Sequence, residues 1–170
     1  LETIGIAAFA HTGLTEIVIP ESVRFLDANA FMLSKVKNVL FKGNDLLMDV
    51  GAFIWCFDLE KVILPAKLTC LRDSIFSGCS SLTEIIIPDT VTVIESSAFG
   101  SCEGLSSITL PSSIKEIDDG AFSGCTYLSN VYYSDTVEKW NLVDNHDNTI
   151  LAAIIHCSDG DICPGSHRHS

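Results

Sequence analysis

Apolar residues recur along the chain at a fixed spacing of 22 or 23 positions. The clearest marker is an Ala or Ile followed by Phe, and the other apolar positions keep a constant distance from it. A period of this size indicates a solenoid, because one coil cannot bury its own apolar side and must stack on the next. The six marker pairs lie at 8–9, 30–31, 52–53, 75–76, 98–99 and 121–122.

Each unit also contains a short segment in which inward and outward positions alternate. In the fourth unit the alternation directs Ile85 and Ile87 toward the core. It directs Glu84 and Ile86 outward. The pattern predicts one strand per coil and a parallel sheet of stacked strands, with a short helical or turn-like return around each marker pair. A proline follows the strand in four units, where its missing N–H ends the ladder: Pro20, Pro65, Pro88 and Pro111.

The fifth unit carries the most complete version of the repeat. Its residues 94–114 fit the string Ile-x-x-x-Ala-Phe-x-x-Cys-x-x-Leu-x-x-Ile-x-Ile-Pro-x-Ser-Val with small changes. This string resembles the BspA-like (Treponema-type) leucine-rich repeat, and the resemblance covers residues 1 to about 137. It implies an α/β solenoid, a right-handed superhelix of about six coils with a parallel sheet and a C-terminal cap. It also implies a surface-exposed or secreted protein, typical of host-associated bacteria and some protists, that adheres to host matrix proteins or other cells.

The repeat pattern divides the chain into three parts. Residues 1–137 form the solenoid, and we expect it to be a fragment of a longer array because the first residues fit the middle of a coil. Trp140 then takes the place of the usual Ile or Leu, so residues 138–158 are expected to cap the last coil. Residues 159–170 are rich in Gly, Ser, His and Pro and are expected to form a flexible tail.

Composition narrows the classes of partner. Ten Lys and Arg oppose 22 Asp and Glu, for a formal net charge of −12. This balance argues against nucleic acid and anionic lipid as main partners, since both require clustered positive charge. The longest wholly apolar stretch, Ile150 to Ile155, is far shorter than a membrane span, so no membrane insertion is expected from these residues.

Four cysteines occupy one column of the repeat at 23-residue intervals. Stacking brings such residues to roughly 5 Å, which permits a disulfide or a redox role. The favoured interpretation is a small buried side chain in a tight turn, since unpaired Cys is often fully buried. The column consists of Cys56, Cys79, Cys102 and Cys125.

The remaining candidate chemistry does not form a recognisable site. Residues 156–169 contain His and Cys, but without the two close pairs of a structural zinc site. Residues 144–148 and 159–161 are rich in Asp and Asn, but without the spacing of a calcium loop. The chain also lacks a nucleophile elbow, a phosphate-binding glycine loop and a His-Glu-x-x-His motif. We therefore predict a non-enzymatic protein with no metal and no cofactor.

The outward column of the predicted sheet is the strongest candidate for function. Its neighbouring column is polar and includes Lys61 and Glu84, so an apolar stripe is edged by polar residues, as at interaction surfaces. The hypothesis is binding of a protein partner, such as a host extracellular-matrix protein or another cell surface. Strand propensity alone would also place β-branched residues here, and the alternative function is a rigid spacer. The column consists of Val18, Leu40, Ile63, Ile86, Thr109 and Tyr132.

Overall fold

The computed structural model describes residues 1–165 and consists of stacked coils. Each coil contributes one strand to a broad main face and one two-residue strand to a second face. The main-face strands are β2 (Glu16–Ile19), β4 (Asn38–Phe41), β6 (Lys61–Ile63), β8 (Glu84–Ile86), β10 (Ser107–Leu110), β12 (Asn130–Tyr133) and β14 (Ile154–Cys157). The second-face strands are β1 (Thr3–Ile4), β3 (Phe25–Leu26), β5 (Leu47–Met48), β7 (Cys70–Leu71), β9 (Val93–Ile94), β11 (Glu116–Ile117) and β13 (Asp144–Asn145).

Pairing between coils is parallel and follows the repeat register. Ile85 lies opposite Ile108, and Ile108 lies opposite Val131. All three side chains are buried, which confirms the predicted inward positions and the parallel-sheet solenoid. The last strand, β15 (Gly160–Ile162), is the exception, because it pairs antiparallel with β14 and forms a hairpin at the end of the solenoid.

A column of phenylalanine rings runs through the core beside the turns. Successive rings lie 5.1–5.6 Å apart between centroids and within 16° of parallel. Such offset stacks of large apolar rings stabilise each coil against its neighbour. The column consists of Phe9, Phe31, Phe53, Phe76, Phe99 and Phe122.

The returns around these phenylalanines are turns rather than helices. Each return has one residue with positive φ just before the Ala or Ile and a second one two positions after the Phe; in the third coil these are Gly51 and Trp55. Left-handed residues break a right-handed helix. Within the described residues the helices are therefore single turns confined to the last coil, α1 (Val137–Trp140) and α2 (Asn148–Leu151).

The two sheets are interrupted at the same junction. Neither β6 and β8 nor β5 and β7 form a hydrogen-bonded pair, so each face is split between the third and fourth coils. The edge of the solenoid formed by the Phe returns, here called the turn edge, stays connected at this junction. There the Phe53 N–H donates to Ile75 O at 2.9 Å and the Trp55 N–H donates to Ser77 O at 2.6 Å. We call this junction the seam.

The segment expected as a cap completes a seventh coil. β13 pairs with β11 and β14 pairs with β12, while α1 and α2 replace the proline turn and the Phe return. Trp140 is buried and packs edge-on against Tyr133. Strand β15 lies within the stretch expected as a flexible tail, where Ile162 is buried opposite Ile155; residues 166–170 of that stretch lie outside the described residues.

Among residues 1–165, none of the helices has the length and apolar composition that crossing a membrane requires.

Candidate interaction surface

The structure places the predicted apolar stripe in one row on the main face. On the first side of the seam the row is Val18, Leu40 and Ile63, each directly opposite the next. On the second side it is Ile86, Thr109 and Tyr132, also in direct register. All six lie on regular strands, which hold the row rigidly on the solvent side of the sheet.

The most exposed members of the row flank the seam. Ile63 retains 61% and Ile86 retains 72% of its accessible surface, whereas the strand neighbours Val62 and Ile85 are buried. A groove of about 700 Å³ lies between the two strands, and its lining includes Ile63, Ile86, Lys61 and Glu84. Neither Lys61 nor Glu84 belongs to an ion pair among residues 1–165, so both charges are available to a partner.

Sequence reasoning missed one member of this surface. His156 on β14 lies opposite Tyr132, and the two rings stack with centroids 4.9 Å apart. The imidazole is held in place because Nδ1 lies 3.0 Å from Asp161 Oδ1 and Nε2 lies 3.0 Å from Asn130 Oδ1. Extending the repeat by one further coil from Tyr132 would have found it, but the altered spacing of the last coil hides that position.

The cysteine column is a structural ladder. Each thiol donates to the carbonyl of a phenylalanine in the preceding coil, at S···O distances of 3.0–3.3 Å. The four column residues are buried free thiols, and burial raises the pKa of Cys56 and Cys79. Ser34 fills the same place in the second coil, with its Oγ 3.4 Å from Cys56 Sγ. The second coil therefore keeps a small side chain at the column position, although its turn is one residue shorter.

The acidic loop considered for calcium contains a capping residue. Asp147 is buried, and its Oδ1 accepts from the N–H groups of Thr149 and Ile150 at the start of α2. Its Oδ2 accepts from the N–H of Phe122 in the preceding coil. Within residues 1–165 no three His, Cys, Asp or Glu side chains are grouped so that they could hold a metal ion.

The repeat is matched by the family model described as the BspA type leucine rich repeat region, with six copies over residues 1–47 and 47–143. The chain belongs to this family. Both the expected resemblance and the predicted solenoid are thereby confirmed. BspA-type and other leucine-rich repeat proteins are generally non-enzymatic.

Solved structures show the same architecture. A leucine-rich cell surface protein from Faecalibacterium prausnitzii is 34% identical, with a TM-score of 0.74 over 78% of this chain and 35% of its own. The Treponema pallidum leucine-rich repeat protein is 28% identical, with a TM-score of 0.70 over 81% of this chain and 68% of its own. A leucine-rich repeat protein from Bacteroides ovatus shares the fold. It is 22% identical, with a TM-score of 0.62 over 86% of this chain and 43% of its own.

This BspA-type chain thus spans about a third of the length of the Faecalibacterium protein. No curated protein matches the chain.

Proposed function

We propose that this BspA-type chain is a non-enzymatic recognition module of a surface-exposed or secreted protein, and that it binds a protein partner through the apolar row of its main face. The observation that carries the proposal is the exposed aliphatic pair Ile63 and Ile86 at the seam, flanked by Lys61 and Glu84. Large apolar side chains on a rigid, solvent-facing sheet are expected to be anchors, and the charged rim supplies specificity.

Three further considerations support this function. BspA-type repeats are associated with protein interaction, and the Faecalibacterium relative is a cell surface protein, which supports a location at the cell surface. The net charge of −12 disfavours nucleic acid and anionic membranes as partners. A host extracellular-matrix protein or another cell surface is the class of partner that this location offers.

The test is direct binding to a panel of extracellular-matrix and plasma proteins, comparing the native chain with the double variant Ile63→Lys/Ile86→Lys. We expect the variant to bind about 30-fold more weakly or worse, because two central anchors are replaced by charges. Its Tm should move by no more than about 2 °C, because both side chains point to solvent.

The matched control is Phe25→Lys/Leu47→Lys, which makes the same change at exposed apolar positions of the second face. This control should bind like the native chain. Full binding by the main-face variant would move the site to another surface. Failure of the native chain to bind any member of the panel would favour the rigid spacer.

A further inference from the structure

A second cleft lies on the turn edge, away from the main face. The third coil provides one wall with Trp55 and Phe57, and the fifth coil provides the other with Glu103. Between them the fourth coil presents only Gly78 and a serine as the floor. The cleft has a volume of about 580 Å³. The backbones of its two walls are two coil spacings apart, roughly 10 Å.

Trp55 is the largest residue at its position in the repeat. Its backbone is left-handed, with φ 57°, as it is at the equivalent positions of the other coils: His11, Leu33, Gly78, Ser101 and Gly124. The indole is 44% exposed, so burial in the core does not account for it. A large exposed aromatic side chain on a fixed turn is a candidate binding residue.

Gly78 makes room for the Trp55 indole. A Cβ atom on Gly78 would lie 2.4 Å from Trp55 Cδ1, so the indole can pack over residue 78 only because that residue has no side chain. Phe57, also exposed, extends the aromatic wall.

The opposite wall carries an available negative charge. Glu103 is exposed and forms no ion pair among residues 1–165, and the chain as a whole carries a net charge of −12. Aromatic faces attract cations, and a carboxylate binds a guanidinium through two parallel hydrogen bonds. Arginine suits both walls better than lysine, because its planar group can stack on an indole while pairing with a carboxylate.

We propose that this cleft binds an arginine side chain of a protein partner, with the guanidinium stacked on Trp55 and paired with Glu103. This site is separate from the apolar row on the main face. It gives the module a charge-selective contact on a second edge.

Tryptophan fluorescence tests this proposal, because Trp55 is exposed whereas Trp140, the other tryptophan, is buried. The probes are the peptide acetyl-Gly-Arg-Gly-amide and its citrulline analogue, which has nearly the same shape without the charge. At low salt the arginine peptide should change the emission in a saturable way, with a Kd of about 1 mM, and the citrulline peptide should bind at least about tenfold more weakly.

Four variants make the result specific. Glu103→Gln should weaken the arginine peptide about tenfold, while Glu84→Gln on the main face should leave it unchanged. Trp55→Gly should abolish binding measured by calorimetry without lowering Tm, because glycine already occupies the equivalent turn position in two coils. Equal binding of both peptides, unaltered binding by Glu103→Gln, or no saturable change up to about 50 mM peptide would overturn the proposal. Ile63→Lys/Ile86→Lys should leave peptide binding intact, so the two sites can fail independently.

Discussion

At the residue scale, Glu95 shows how one side chain ties neighbouring coils together. Its Oε2 accepts from the Asp73 N–H at 2.9 Å, and its Oε1 lies 3.2 Å from Arg72 Nη1 and accepts from the Cys70 thiol. Partial burial would raise the pKa of Glu95, but these three donors outweigh it, and the pKa is lowered. Burial and the same carboxylate raise the pKa of Cys70 to about 12.

We expect Glu95→Gln to lower the free energy of unfolding by about 1–2 kcal/mol at pH 7, because hydrogen bonds to a charged group are lost. A carboxyl with a lowered folded pKa stabilises the native state above its unfolded pKa, and this contribution is lost as the pH falls through the folded pKa. The two proteins should therefore converge in urea unfolding at low pH. Glu103→Gln, at an exposed carboxylate that forms no ion pair within residues 1–165, is the control and should match the native chain throughout. A difference that persists unchanged at low pH would contradict the role assigned to the charge.

Residue contacts of this kind can be predicted only in part from the sequence. Arg72 and Glu95 are one period apart, as are Lys37 and Glu60, so pairing charges at a 23-residue spacing would have found both bridges. The buried cysteine column was predicted from the same spacing. The hydrogen bond from each thiol to a carbonyl was not, because it depends on the exact offset between coils.

At the element scale, α2 is fastened to the solenoid by Asp147. One oxygen of its carboxylate caps the helix, and the other accepts from the Phe122 N–H in the preceding coil. Removing it leaves a helix uncapped and a buried N–H without an acceptor.

Asp147→Ala is expected to lower the free energy of unfolding by about 2–4 kcal/mol, from the sum of these two losses. Asp147→Asn keeps one acceptor oxygen and should lose roughly half as much. Urea unfolding followed by near-ultraviolet circular dichroism measures both, since Trp140 lies in the same coil. Native stability in the Ala variant would show that the last coil is held by its apolar contacts alone.

The strands were predictable because alternating burial leaves a direct mark on the sequence, as in the inward Ile85 and outward Ile86. The form of the returns was not. Positive φ at Trp55, Leu33 and Ser101 has no signal in residue type, and only the glycines at Gly78 and Gly124 suggest it.

At the scale of the whole molecule, the repeat predicts a continuous stack, whereas the structure has a seam. Nothing in the spacing marks it, because the strands on its two sides, β6 and β8, are 23 residues apart like their neighbours. Sequence reasoning could therefore name Ile63 and Ile86 but not the groove between them.

Hydrogen exchange should reveal the seam. The amides of β6 and β8 that face each other are expected to exchange about tenfold faster or more than the amides of β10, which is paired on both sides. Exchange measured by NMR on the native chain checks this, with the β12 amides as the internal standard. Equal protection across all main-face strands would mean that the two halves are joined as firmly as any other pair of coils.

The two halves of the solenoid are held at both edges of the seam. Besides the Phe returns, the proline turns also meet there, because Thr90 Oγ1 of the fourth coil lies 2.8 Å from Ala66 O and 2.6 Å from Leu68 O of the third. The seam is therefore a gap between two fixed edges, and the spacing of Ile63 and Ile86 is set before a partner arrives. A partner that matches this spacing meets a surface that loses little conformational entropy on binding.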